Sequence, residues 1–449
     1  MPELKKKLTL YGLTMIAVGS CIGSGIFVTP ASIVSTLPHH GWVLIVWALG
    51  GLIALTGALT FAELGGLFPK AGGVYVFLKE AYGRLTGFLY GWVILLVINT
   101  GALAALGLAF ADYMTFFIPD LGQGGKVGLA AVTILGLTAI NITGVSISQI
   151  FANTFTSLKL LAIAGIIVAG IAYFVLTSPA DIQLNLALGQ EQPEGLMGAL
   201  LLALIGVLWS FGGWHHASYL AGEAIDAPRT VPRAMILGAL IVTLTYVLVN
   251  LAYMLLLPLP EIAGTERVAG DAVMRLVPYG GKLVAVIIAI SIFGTIGIYT
   301  MTAPRIYYAM ARDGIFFKQL AEVHPRFRTP VNAMVIQAVW AVLLLLFWGT
   351  FYKLITYVTF MDIAFMTMAG VSVIIFRQKL KDTERPYKVV AYPVVPLIFI
   401  SISGAFVIST IIQQPTESGA ALILLALGVL AYQFFEKQHR KEGGEGEKS

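Results

Sequence analysis

Two glycine-centred stretches, Gly23-Ser24-Gly25 and Phe211-Gly212-Gly213, lie inside apolar runs long enough to cross a bilayer. The chemistry on offer there is that of bare peptide groups. Non-helical backbone at membrane depth survives only against protein or a water-filled cavity, because an unpaired peptide group in hydrocarbon costs several kcal/mol. A helix resuming at Ser24, Gly25 and Ile26 presents free N–H groups and a partial positive charge, a fit for a carboxylate. Helix ends at Ser20 and Cys21, and at Trp209, Ser210 and Phe211, present carbonyls that suit an ammonium. Ile22, Gly23 and Gly212 complete the two unwound stretches. A carboxylate site beside an ammonium site outlines an α-amino acid. Broken helices at matching places in two halves are the sequence sign of a secondary transporter's midplane site. Gly65-Gly66, Gly101, Gly107, Gly165 and Gly170 read instead as close helix packing.

Few ionisable side chains lie within the apolar runs. Lys159 sits about eight residues into its segment, where a lysine costs at least about 2.5–3.5 kcal/mol and must face a polar interior. Adjacent His215 and His216 diverge on a helix and lack Cys or acidic companions, so no metal site is expected; one is expected to face a cavity and one to pack. Glu63 lies near Lys70, and Glu223 and Asp226 near Arg229 and Arg233, as gate or anchoring pairs. Phe27, Trp209, Phe211 and Phe293 are candidate aromatic gates. Asn99, Thr100, Ser291 and Thr295 are either cavity lining or interhelical hydrogen bonds. There is no Gly-x-x-x-x-Gly-Lys-[Ser/Thr] phosphate loop and no catalytic Ser/His/Asp set, so neither ATP drive, enzyme activity nor a cofactor is expected.

The elements that must position these groups follow from composition. Of 449 residues 58% are hydrophobic and 11% charged, against about 25% charged in soluble domains, which marks a polytopic membrane protein. Hydropathy gives an all-α chain of twelve spans, roughly 8–35, 42–67, 84–117, 127–144, 151–176, 196–222, 232–257, 283–311, 331–349, 352–376, 390–412 and 419–436. The first is too long for a signal-peptide core and is read as retained. With the N-terminus inside, Lys and Arg divide about 22 to 5 in favour of the cytoplasmic segments, which places both termini in the cytoplasm. The 177–195 loop, with Asp181, Glu191 and Glu194 and no Lys or Arg, is outward. Because the breaks recur five spans apart and five is odd, the second unit inserts upside-down. The expected division is a first repeat at 1–176, an outer loop at 177–195, a second repeat at 196–376, two added spans at 377–436 and a cytoplasmic tail at 437–449, its polar end at 443–449 disordered. The single cysteine, Cys21, excludes an internal disulfide framework.

Gly23-Ser24-Gly25-Ile26-Phe27 resembles the first-helix motif of the amino acid–polyamine–organocation (APC) superfamily of transporters. Leu208-Trp209-Ser210-Phe211-Gly212-Gly213-Trp214 resembles its sixth helix, Glu223 to Arg233 the charged stretch after it, and Ala311-Arg312-Asp313-Gly314 with Arg328-Thr329-Pro330 the loop after the eighth span. Phe-Gly-Gly-Trp is most similar to the L-type amino acid transporters, and Trp209-Ser210-Phe211 also to arginine/agmatine antiporters. The resemblance implies a LeuT-like five-plus-five inverted repeat with discontinuous helices 1 and 6, alternating access in a cell membrane, and Trp209 as the lid over substrate. It further implies that Lys159, a permanent or protonatable cation, stands where sodium-coupled relatives hold the ion; desolvation makes it a possible coupling proton carrier as well. Animal L-type transporters bond to a heavy chain through a cysteine after span 3; Asp120 to Lys126 contains none, so no disulfide-linked heavy chain is expected. Lys159 argues against sodium coupling, and the lack of an acidic residue in sequence at either break favours neutral substrates, so sodium-independent exchange of neutral L-amino acids is the expected function. Proton-coupled symport and cationic amino-acid or polyamine antiport are the alternatives.

Overall fold

The computed structural model describes residues 3–188, 195–265, 267–347 and 351–446; Glu191, Glu194 and Lys448 lie outside the described residues. Within a bilayer a continuous chain satisfies its own peptide groups only as helix, and the described residues form helices, short turns and one isolated backbone bridge between Leu8 and Ala224. In order these are α1 (Leu10–Cys21), α2 (Gly25–Thr36), α3 (His40–Leu67), α4 (Val74–Tyr82) and α5 (Arg84–Val93). A π-helical turn, Ile94–Ile98, joins α5 to α6 (Asn99–Met114). Then come α7 (Gln123–Ile142), α8 (Val145–Thr177), α9 (Leu196–Phe211), α10 (His216–Tyr219) and α11 (Ala227–Leu256). Two short helices, α12 (Leu259–Gly264) and α13 (Val268–Met274), lead to α14 (Gly280–Thr302) and α15 (Pro304–Arg312). The chain ends with α16 (Val331–Phe347), α17 (Phe351–Lys379), α18 (Val394–Gln413) and α19 (Pro415–Gly446).

Among the described residues nine helical stretches are long and apolar enough to cross a membrane, or ten when α1 and α2 count as one span bent by 40°. Two shorter apolar helices, Leu196–Phe211 and Val331–Leu346, flank that set. The protein is therefore a multi-pass membrane protein. α19 runs past the expected span end at 436, because Glu436 to Glu442 contain no Gly or Pro to stop it, and it reaches Gly446, inside the stretch expected to be disordered.

At the centre, α11 packs along α3, α1 and α8, while α14 packs along α6 and α8. These contacts enclose the two breaks. The π turn in the third span is stabilised where Thr100 Oγ1 donates to Leu95 O (2.7 Å). Such turns recur at functional sites, and this one places Ile94, Ile98 and Asn99 against the second break.

Candidate functional site

α1 ends at Cys21 and α2 begins at Gly25, with Ser24 as its N-cap residue. Glycine is required here by close approach. A Cβ on Gly25 would lie 2.5 Å from Ser210 Oγ and 2.9 Å from Ser210 Cα, and one on Gly213, at φ +120°, would lie 2.6 Å from Ser20 Cβ. The two breaks thus pack directly on one another, each glycine against a serine of the other. Among the described residues none of the amides of Ser24, Gly25 and Ile26 donates to a backbone carbonyl, and the buried Ser24 Oγ has no hydrogen-bond partner. The helix N-terminus is bare, as its sequence suggests.

The carbonyl ends are different. Gly23 N and Tyr246 OH both donate to Cys21 O (2.8 Å each), and Tyr246 OH also reaches Ser210 O at 2.9 Å. Gly212 N donates to Trp209 O at 3.2 Å. A buried carbonyl finds a donor wherever one is in reach, so most of the carbonyls expected to be open already accept from protein. Phe211 O accepts only the long contact from Cys21 Sγ, 3.4 Å, and a thiol is a weak donor.

Lys159 is fully buried and its Nζ donates to Ile22 O (2.6 Å), Thr295 Oγ1 (2.8 Å) and Gly19 O (3.2 Å). Thr295 Oγ1 lies 2.9 Å and Ser291 Oγ 3.2 Å from the same Ile22 O. A buried lysine and two hydroxyls therefore hold the last carbonyls before the first break. Ser291 and Thr295 are interhelical partners rather than cavity lining.

The second break borders two small cavities of about 30 and 20 Å³, each with room for a water molecule or two. Trp209, Gly212, His215 and His216 line the first together with Asn99, Tyr299, Thr359 and Asp362; Phe211, Gly212, Trp214 and His215 line the second, again with Asp362. Of the remaining expected site residues, Ser20, Cys21, Ile22, Gly23, Ser24, Gly25, Ile26, Phe27 and Ser210 are buried beside these cavities without lining them. Phe293 stands elsewhere: it packs against Phe110, Phe151 and Phe155 and lines an open apolar groove. Both histidines face the larger cavity, whereas the sequence assigns only one to it. His215 Nε2 lies 4.0 Å from Asp362 Oδ1, and His216 Nδ1 pairs with Thr302 Oγ1 at 3.0 Å.

Asp362 and Tyr246 were not found from sequence. Asp362 is an aspartate inside an apolar span, the same signal that exposes Lys159. Tyr246 carried no signal, since its role arises from tertiary contact alone. Asp362 also removes the premise of a site without acid: no acidic residue adjoins either break in sequence, but folding brings this one from α17 to the second break.

Below the breaks, charged pairs close one end of the bundle, with partners other than those nearest in sequence. Glu223 forms a fully buried two-point bond with Arg305 of α15 (2.8 and 2.9 Å), not with Arg229 or Arg233. Glu63 is gripped by Arg377 (2.6 and 2.7 Å) and Arg385 (3.0 Å), not by Lys70. Asp226 does approach Arg229, at 3.9 Å and in an exposed setting. A guanidinium held in fork geometry outcompetes a local, solvated lysine or arginine. The amides of Lys7 and Leu8 donate to Glu223 O (2.8 and 2.9 Å), tying the chain's start to the short helical turn after α10. Asp313 joins α4 to α15 through Tyr75 OH (2.6 Å) and Lys79 Nζ (2.8 Å). Burial opposes the Lys79 charge, but the bonds to Asp313 and Glu80 outweigh it and hold its pKa above the ordinary value.

Helical segments closed at one end around paired breaks, with buried cations fixed on backbone carbonyls, define a membrane carrier rather than an enzyme. The chain belongs to the amino acid permease family, whose model matches residues 8–432. It is 34% identical over 442 residues to the serine/threonine exchanger SteT of Bacillus subtilis, covering 97% of this chain and 98% of that protein. It is 32% identical to the human b(0,+)-type amino acid transporter 1 (96% and 88% covered). It is also 32% identical to the human large neutral amino acids transporter small subunit 2 (96% and 80% covered).

Proposed function

We propose that the protein is a secondary transporter of L-amino acids that works by alternating access and sodium-independent exchange, neutral amino acids being among its substrates. The observation that carries this reading is the bare amide cluster at Ser24, Gly25 and Ile26 beside the weakly paired Phe211 carbonyl. The substrate carboxylate sits on the amides, and its ammonium displaces the Cys21 thiol from Phe211 O, a charge-assisted bond replacing a weak one. Lys159 donates to the Gly19 and Ile22 carbonyls, the place a sodium ion fills in coupled relatives of this fold. Phe27 and Trp209 act as the gates. Twelve spans in a five-plus-five inverted repeat, both termini cytoplasmic, complete the proposal. Cys21, the single cysteine, is buried, which favours a carrier without a disulfide-linked subunit.

Counterflow tests this. Purified protein in liposomes preloaded with unlabelled amino acid should take up labelled amino acid much faster than empty liposomes do, equally well in sodium and in choline buffers. Accumulation driven by a pH gradient into empty liposomes would instead establish proton-coupled symport.

A further inference from the structure

An apolar groove of about 360 Å³ lies away from both breaks, between α6, α8 and α14, within the size range of small-molecule sites, about 300–1,000 Å³. Its lining is wholly apolar and is formed mostly by Phe110, Met114, Phe117, Phe155, Val286 and Phe293. The three helices belong to membrane-spanning stretches, and Phe117 and Val286 are exposed, so the groove opens sideways to hydrocarbon. Apolar walls with nothing against them forfeit dispersion contacts. The rim adds a second chemistry. Lys282 stands one turn before Val286 on the same face of α14. It is exposed and makes no ion pair among the described residues. Arg267, also exposed, holds its guanidinium carbon 4.1 Å from the centre of the Phe116 ring, next in the chain to Phe117. The carboxylate of Asp112 on α6 is already met by Lys126 (2.7 Å).

We propose that this groove holds one acyl chain of an anionic phospholipid, with the phosphate at Lys282 and Arg267. From Lys282 to Phe293 α14 rises about 16 Å, close to half of the roughly 30 Å hydrocarbon core, so a single leaflet reaches from the charged rim to the floor. A disordered chain suits walls of phenylalanine and methionine, because a thioether side chain adapts to irregular partners. The anionic headgroup supplies the counter-charge that Lys282 lacks. The floor adjoins the anchor of the first break. Phe155 lies one turn from Lys159 on α8, Phe293 lies between Ser291 and Thr295 on α14, and a Cβ on Gly294 would lie 2.6 Å from Phe155 Cβ. A chain seated on the two rings braces the contact between the helices that hold Ile22 O.

The test is native mass spectrometry of the full chain, released from detergent that holds equal amounts of dioleoylphosphatidylglycerol and dioleoylphosphatidylcholine, which differ only in the headgroup. The most tightly held lipid on the wild-type protein should be phosphatidylglycerol by about fivefold or more, the worth of one cation beside an anionic headgroup. Lys282→Gln, a change at an exposed position, should lower that ratio about fivefold, and Arg267→Gln should lower it less. Ile290→Trp puts a ring into the groove from its wall and should cut retention of both lipids severalfold. Added phosphatidylglycerol should raise Tm in detergent for the wild type and not for Ile290→Trp. A wild-type ratio near one, or a ratio untouched by Lys282→Gln, overturns the proposal. So does lipid retention unchanged by Ile290→Trp, which would place the lipid elsewhere. A concentration-dependent dimer abolished by Ile290→Trp also overturns it, because a second copy of this chain would then be the occupant.

Discussion

The two helix breaks resemble each other in sequence and differ in how the fold uses them. At the first, a lysine and two hydroxyls fasten the outgoing carbonyls, and the glycine next to the gap lies hard against Ser210. At the second, the chain borders two small cavities, and three lining oxygens, Asp362 Oδ1, Asn99 Oδ1 and Thr359 Oγ1, lack a hydrogen-bond partner. Both gaps exist because glycine permits them, but the first is an anchor and the second borders unfilled space. The same break in a helix serves fixation where donors from other helices reach it and leaves open space where they do not.

That contrast can be broken by variants. The largest effect is expected below the second break: Glu223→Ala leaves Arg305 charged and buried, which costs about 3–5 kcal/mol. Thermal denaturation in detergent should show a marked fall in Tm, partly restored by adding Arg305→Met. An unchanged Tm would mean the inner half of the sixth segment is held by something else. Next, Lys159→Ala removes the cation from the anchor, with an expected loss of about 1.5–3 kcal/mol. Its counterflow should fall at least about tenfold, on the order of the 1.4 kcal/mol that a tenfold change represents. Normal counterflow in this variant would show that the first break is not an anchor. Tyr246→Phe, which removes the one hydroxyl touching Cys21 O and Ser210 O, should cost about 1 kcal/mol. Its KM should rise more than Lys159→Ala changes substrate preference. The smallest effect is expected outside the membrane, where Asp181 pairs with Arg275 in an exposed setting.

The hydrogen bond from Arg275 holds the Asp181 carboxyl below the ordinary carboxylate range. A depressed folded-state pKa means any contribution is complete above about pH 4, the unfolded value, and is lost as pH falls through the lower folded value. Asp181→Asn should therefore leave Tm unchanged within error at neutral pH and in high salt, because exposed pairs are screened. A clear loss would show that the outer loop stabilises the carrier as much as the inner pairs do.

Much of this arrangement was legible in the residues. Glycines in an apolar run announce a break, and a lysine in such a run announces a polar partner, because both are costly without one. What could not be read was the choice of partner. Glu63 and Glu223 each pass over a basic residue nearby in the chain for an arginine far along it, since fork geometry and burial decide the pairing and sequence distance does not. Tyr246 gave no sign, as a tyrosine is ordinary in a membrane helix until its hydroxyl meets two carbonyls. Asp362 could have been found by the reasoning applied to Lys159. The π turn before Asn99 carries no residue signature at all, for Ile94 to Ile98 are plain apolar residues.

Cys21 has a practical consequence. The sole sulfhydryl of the chain lies buried at the junction of both gaps, touching Phe211 O. A water-soluble maleimide added to the unmodified polypeptide therefore finds one target, and only while a route from one face of the bilayer stands open. On the alternating-access proposal, labelling speed from each side becomes a clock for how long the carrier faces that side, with no engineered reporter needed.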